Sequence, residues 1–242
     1  TYLLEKERVW AHAQGEGNFH ALYQFVAGAS VRDRARWGLQ PVHVAYRCLD
    51  GSPLTQSEFK RDDRSDYLAV RSAMKELGMD AETQESIYCV LAAILHLSTF
   101  DETSPLQEFQ GRAVATSLTM AAELLQLPAD ELITGLSFGG KPAKEKGKGP
   151  LNCCRAVCEA LYSGLFEYLV EQLNKSLQGP AKSSYQCISV VDIFGFEQAP
   201  RNSLQQLCIN IAAEAFQSHY ARNLLQSSLA HRAEEGLDRA QQ

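Results

Sequence analysis

Apolar residues recur at helical spacing along most of the chain, and short polar or glycine- and proline-containing breaks interrupt them. This pattern predicts a broken helix over residues 1–28, two helices over 65–98 that part near Gly78, and a helix over 112–127 that Pro128 stops. A short helix over 129–136 and a long helix over 152–177 follow. We therefore expect residues 1–178 to form a mostly helical unit.

One stretch departs from the helical pattern and predicts a buried strand. Residues 188–194 read ISVVDIF, a nearly continuous apolar run that is rich in β-branched residues. Such a run is typical of a strand that is covered on both faces of a sheet. Pro200 and the capping-box pair Ser203 and Gln206 then predict a last helix over residues 202–235. The expected fold class is α/β, mainly helical, with one strand contributed to a central sheet.

Residues 139–150 are the clearest surface loop of the chain. Glycine and proline residues are interleaved there with lysines, a composition that buries no core and favours solvent exposure. The four lysines are Lys141, Lys144, Lys146 and Lys148. Such a loop attracts an acidic surface weakly and with salt sensitivity, and it equally suits a solvated linker. Both interpretations stay open.

Composition narrows the class of protein. Hydrophobic residues make up 45% of the chain and charged residues 21%, as in ordinary globular proteins, and the net charge of -6 argues against nucleic acid as the main partner. The seven cysteines are odd in number and lie mostly in apolar segments, which indicates reduced thiols rather than a disulfide framework. No apolar run is long enough to span a bilayer. The start without methionine leads us to expect an internal piece of a longer protein.

The segment with candidate chemistry is residues 190–197, which read VVDIFGFE. A buried strand would deliver Asp192 at its carboxyl end, where open α/β sheets hold ligands, and this carboxylate can hold Mg²⁺ through water. Gly195 has no side chain, so its backbone N–H can approach a terminal phosphate and the loop can move when that phosphate leaves. Glu197 can orient an attacking water. The D-x-x-G spacing alone favours a plain turn after a strand.

Five segments in chain order carry a family resemblance. Residues 192–197 (DIFGFE) resemble the switch II motif of myosins, and residues 202–210 (NSLQQLCIN) resemble the start of the myosin relay helix. Residues 1–9 (TYLLEKERV), continued by residues 15–24, resemble the helix that follows switch I, and residues 94–97 and 160–166 resemble later helices of the upper subdomain. On these segments the chain is identified as a member of the myosin family, as a divergent unconventional myosin near class fifteen.

The resemblance implies a P-loop NTPase motor domain of the myosin type. Residues 1–178 would belong to its upper subdomain, 185–197 would form a sheet strand with switch II, and 202–235 would form the relay helix. The implied cofactor is Mg-ATP, with Asp192 at the Mg²⁺ site and Gly195 bonded to the γ-phosphate. Glu197 would pair with a switch I arginine and close the site around the lytic water. This closure would bend the relay helix.

The resemblance further implies an actin filament as partner, contacted by the four loop lysines, and a cytoplasmic, cytoskeletal location. Calmodulin-like light chains would bind outside this segment. Residues 135–142 (GLSFGGKP) meet the GxxxxGK pattern, but Pro142 replaces the required Ser or Thr and a helix precedes them. Because no usable P-loop is present, the isolated segment is expected to hydrolyse no ATP. The alternative is an inactive pseudo-motor that serves as an actin- or protein-binding module.

The chain differs from the family in the segments that would transmit a movement of switch II to the relay helix. Myosins usually have Asn where Ala213 stands, and they usually have an acidic stretch where residues 227–231 (SSLAH) stand. They often have an aromatic residue and an acid after Glu197, where this chain has residues 198–201 (QAPR). The nucleotide-facing residues are intact. The differences therefore concern the link between switch II and the relay helix.

Overall fold

The computed structural model describes 4–13, 15–42, 45–50, 62–99, 112–138, 149–178, 188, 190, 192–198 and 202–236. The chain divides into two compact units, with the boundary between residues 181 and 182. Regular structure in the described residues of both units is helical. No helix among them combines the length and the apolar character that crossing a membrane requires.

The first unit is built from helices that follow the predicted order. Its described elements are a 3₁₀ turn Lys6–Val9, α1 His20–Gly28, α2 Val31–Trp37, a 3₁₀ turn Arg47–Leu49, α3 Asp63–Glu76, α4 Ala81–Leu97, α5 Arg112–Leu124, α6 Ala129–Phe138 and α7 Gly149–Leu177. The helices predicted over residues 65–98, 112–127, 129–136 and 152–177 are confirmed, with ends displaced by about one turn or less.

Local chemistry sets where these helices begin and end. The side chain of Asp80 accepts a hydrogen bond of 2.8 Å from the backbone N–H of Thr83, which satisfies an N-terminal donor of α4. Gly38 ends α2 in the left-handed region, with φ 63°. A Cβ at this position would lie 3.1 Å from Met120 and 3.3 Å from His96, so glycine is favoured by both conformation and space.

The core of the first unit surrounds α4, which packs against α3, α5 and α7. Ile94 and Leu95 are completely buried, and burial of such a side chain contributes about 1.5–3 kcal/mol. An aromatic cluster covers the start of α4, where the Phe25 ring lies 5.1 Å from Trp37 and 5.0 Å from Tyr88, measured between ring centroids. These contacts fix the helical unit around one apolar centre.

The second unit contains one long helical segment. It consists of α8 Leu204–Tyr220, a π-helical turn Ala221–Gln226 and α9 Ser227–Glu234. The helix predicted over residues 202–235 is thereby confirmed, and so is the capping box of Ser203 and Gln206 at its start.

The strand predicted over residues 188–194 is absent from the described part of that stretch, which follows an irregular path. Ile188 is 93% exposed and Val190 is 90% exposed, whereas the predicted strand would be covered on both faces. A strand is held by hydrogen bonds to a neighbouring strand, and the described residues supply no such neighbour. The α/β class and the central-sheet strand therefore gain no support, and a mainly helical segment is what the described residues form.

Candidate functional site

The predicted site residues lie on an irregular loop, residues 192–198, directly before the helical segment of the second unit. Asp192 and Gly195 are exposed, and Glu197 is half-buried. A Cβ built at Gly195 would meet no atom within 4 Å, so no described atom crowds this position. A hydrated carboxylate beside an uncrowded glycine suits, by chemical type, a magnesium ion that keeps its waters and a phosphate.

The backbone of Glu197 is held by the side-chain amide of Asn210 from α8. The Glu197 N–H donates to Asn210 Oδ1 at 2.6 Å, and Asn210 Nδ2 donates to the Glu197 carbonyl oxygen at 2.8 Å. One planar amide therefore satisfies both backbone groups of one residue. We call this pair of hydrogen bonds the amide clamp. Because of it, the loop cannot move away from α8 at this point unless both bonds break or α8 moves too.

The beginning of α8 is fixed by its own capping box. The Ser203 N–H donates to Gln206 Oε1 at 2.9 Å, and the Gln205 N–H donates to Ser203 Oγ at 3.1 Å. The Ser203 hydroxyl also donates to Gln206 Oε1. These bonds satisfy N-terminal groups of the helix and stabilise its first turn by about 1 kcal/mol. The helix therefore presents Asn210 to the loop from a well-defined start.

An open cleft of about 520 Å³ lies between the loop and α8. Residues 193–196 line it on the loop side, and α8 lines it with Ala213, Glu214, Phe216, Gln217 and Tyr220. Ala213 follows Asn210 by three positions, so both side chains lie on one side of the helix. Ala213 thus borders the same loop that Asn210 holds.

The helical segment changes its winding at the π-helical turn Ala221–Gln226. The Ser227 hydroxyl donates to the carbonyl oxygen of Arg222 at 3.3 Å, which supports a carbonyl within this turn. A π-turn contains one residue more than an α-turn and is a common cause of a helix kink. The segment therefore has a defined position at which its direction can change.

The remaining candidate residues are the four loop lysines and the GxxxxGK match over residues 135–142. Lys141, Lys144, Lys146 and Lys148 lie outside the described residues, so actin contact through this loop stays a prediction. Gly135 belongs to α6, whereas a P-loop glycine follows a strand and precedes a helix. Within the described part of the chain, no three His, Cys, Asp or Glu side chains are grouped so that they could hold a metal ion.

Sequence reasoning missed the role of Asn210 and the π-turn. Asn210 had a detectable signal, because an asparagine in the interior of a helix is unfavourable unless its amide has a partner. The π-turn had no such signal, since residues 221–226 (ARNLLQ) contain neither proline nor glycine. A change of winding there depends on packing and carbonyl contacts rather than on residue type.

Comparison with known proteins decides the family. The sequence model of the family described as myosin head (motor domain) matches residues 1–241. The chain belongs to this family. It is similar to unconventional myosin-XIX of Mus musculus, at 36% identity over 253 residues, and of Homo sapiens, at 35% over 253 residues. Each alignment covers 98% of this chain and 25% of the relative.

Myosin-1 of Arabidopsis thaliana is a further relative, at 35% identity over 246 residues that cover 98% of this chain and 21% of that protein. The chain thus spans about a quarter of the length of these curated relatives. None of these three relatives is named as a class-fifteen myosin, so membership near that class stays a prediction. Membership of the myosin head family itself is confirmed.

Proposed function

We propose that this chain is the part of an actin-based, ATP-driven motor in which switch II reports the γ-phosphate to the relay helix. In this proposal the loop of residues 192–198 is switch II, and α8, the π-turn and α9 form the relay helix. The amide clamp is the observation that carries the proposal. It joins the backbone of the predicted water-orienting residue directly to the predicted mechanical element.

Three loop residues have the chemistry for sensing the nucleotide. Asp192 is exposed and would hold Mg²⁺ through water, while Gly195 would donate its N–H to the γ-phosphate. Glu197 would orient the lytic water through an ion pair with an arginine from elsewhere in the full-length protein. Mg-ATP, when bound, supplies the phosphoryl group and the cation that balances its charge. These roles are catalytic for Gly195 and Glu197 and nucleotide-binding for Asp192 and Gly195.

Glu197 would link sensing to motion because its two ends have different tasks. Its carboxylate would bind the lytic water and the arginine, whereas its peptide group is hydrogen-bonded to Asn210 through the amide clamp. A movement that carries the carboxylate towards the phosphate therefore pulls on α8. The π-turn Ala221–Gln226 would convert this pull into a change of direction of α9. Such a two-state element, biased by phosphate contacts, is how other nucleotide switches transmit a signal.

The large apolar side chains of the second unit support a role inside a larger motor domain. Leu204, Ile211 and Phe216 are 75%, 61% and 48% exposed on α8, and Phe196 of the loop is 66% exposed. Exposed apolar surface of this kind favours burial against another part of a protein. A chain that spans about a quarter of its relatives leaves the rest of the motor domain to cover these residues.

The proposed partner is the actin filament, with the lysines of residues 139–150 as one contact to its acidic surface. Light chains of the calmodulin type would bind outside residues 1–242, and the location would be cytoplasmic and cytoskeletal.

An inactive pseudo-motor is the second candidate. It is favoured by Ala213, where the family usually has Asn beside the loop.

ATP turnover of the full-length protein separates the two candidates. We expect slow phosphate release from ATP that filamentous actin accelerates, and release of the protein from actin filaments when ATP is added. Absence of turnover with and without actin, together with unchanged sedimentation with filaments on ATP addition, would refute the motor and support the pseudo-motor.

A further inference from the structure

A small cavity of about 80 Å³ lies inside the first unit, among α1, α3, α4 and α7. Its volume exceeds the roughly 30 Å³ that a water molecule occupies in the liquid. Leu91 of α4 and Leu169 of α7 belong to its lining, which is mainly apolar. A buried water needs two to four polar partners, so a lining of this kind suits a small organic molecule better than water.

Tyr67 of α3 lines this cavity and brings a buried hydroxyl group to it. The residue is 3% exposed, and its Oη has no hydrogen-bond partner among the described residues. Arg71 lies beside the ring, with its Cζ 5.8 Å from the ring centroid, but a guanidinium group only donates and cannot accept the hydroxyl proton. A buried donor without an acceptor is unfavourable, and an acceptor inside the cavity would remove that cost.

The packing around Tyr67 holds its ring in place. The ring centroid lies 5.2 Å from that of Tyr88 and 6.3 Å from that of Phe25, and a Cβ built at Gly28 would clash with the Tyr67 side chain. The ring therefore cannot turn its hydroxyl towards solvent unless neighbouring helices move. Burial raises the pKa of Tyr67, although the charge of Arg71 acts in the opposite direction, so the hydroxyl keeps its proton and can donate.

We propose that this cavity binds a small neutral molecule that is apolar apart from one hydrogen-bond acceptor, such as a carbonyl or ether oxygen. The Tyr67 hydroxyl would donate to that oxygen, while Ile87 and Leu91, which are 3% and 5% exposed, would contact the apolar part. Val70 also lines the cavity but is 40% exposed, which places it at the entrance. The proposal concerns a site within the first unit and does not depend on the proposed motor function.

Two compounds that differ in one group test the proposal on the full-length protein. Cyclopentanone carries a carbonyl group where methylenecyclopentane carries a C=CH₂ group. The reporter is the ¹³C-methyl NMR signal of Met74, which lines the cavity and is assigned by its loss in M74L. We expect both compounds to shift this signal saturably, with dissociation constants in the millimolar range for ligands of this size. In Y67F, cyclopentanone should bind about three- to tenfold more weakly, and methylenecyclopentane within about twofold of wild type.

Two tryptophan variants on α3 provide the control for location. V70W should block the entrance and abolish the Met74 shift with both compounds, whereas L68W, at a 57% exposed position outside the lining, should leave it unchanged. Y67F should melt at a temperature no lower than wild type, since it removes a hydroxyl without a partner, so weaker binding would not reflect lost folding. Absence of a saturable Met74 shift in wild type would overturn the proposal, and so would an equal effect of Y67F on the two compounds.

Discussion

Replacing Asn210 with alanine should disconnect the proposed switch II loop from the proposed relay helix. The substitution removes both hydrogen bonds of the amide clamp, which measure 2.6 Å and 2.8 Å. Each bond contributes about 0.5–1.5 kcal/mol net, so their joint loss weakens the link by about 1–3 kcal/mol. A coupling free energy of this size corresponds to a factor of roughly 5–150 between the coupled and uncoupled states. Both residues are half-buried, so water replaces part of each lost bond.

The assay follows two events in the full-length protein, phosphate release after ATP binding and the movement of a fluorescent pair placed across the end of α9. In N210A we expect ATP to be hydrolysed while the movement per ATP falls. N210D is the matched control for size. Its carboxylate still accepts from the Glu197 N–H, but it cannot donate to the Glu197 carbonyl and repels that oxygen. We therefore expect N210D to lose the movement as well. Full movement per ATP in both variants would refute the role of the clamp.

Two further predictions concern the first unit. In G28A the new Cβ would clash with the Tyr67 side chain, so we expect the free energy of unfolding to fall by about 1–3 kcal/mol in a urea titration. The control G135A places its Cβ in open space and should not destabilise the protein. Equal effects of the two substitutions would contradict the packing of Gly28 against Tyr67. Burial lowers the pKa of His96, whose Nε2 lies 2.8 Å from the Trp37 carbonyl oxygen. The contribution of His96 to stability is therefore full above about pH 6.5, the ordinary pKa of histidine, and is lost as the pH falls below it. H96Q should remove this loss, and an unchanged pH dependence of the unfolding free energy in H96Q would contradict the prediction.

The helices could be predicted from the sequence because their information is local. Apolar spacing and breaks at Gly78 and Pro128 depend on residues within one or two turns, as does the capping box of Ser203 and Gln206. The strand predicted over residues 188–194, by contrast, is not found in the described part of that stretch. The β-branched residues 188–194 favour an extended chain, but a strand forms only where a neighbouring strand supplies hydrogen bonds.

The chemistry of the candidate site stays a prediction, and its hydrogen bonds to α8 could not be predicted from the sequence. Asp192, Gly195 and Glu197 have residue types that suit a cation, a phosphate and a water, but only the resemblance of residues 192–197 to switch II singles them out from a plain turn. The partnership of Glu197 and Asn210 joins residues thirteen positions apart across a loop, so it depends on the path of that loop. The four loop lysines stay a prediction from composition alone, since they lie outside the described residues.

In the proposed function Glu197 is the residue on which sensing and transmission meet, so a single-turnover experiment on the full-length protein and its E197A variant is the most direct test. We predict that E197A binds a fluorescent ATP analogue as wild type does, and that phosphate release falls by about a hundredfold or more, because no group orients the water. E197Q, which keeps the size without the charge, should be impaired similarly. Phosphate release from E197A at the wild-type rate would contradict the assignment of residues 192–198 as switch II.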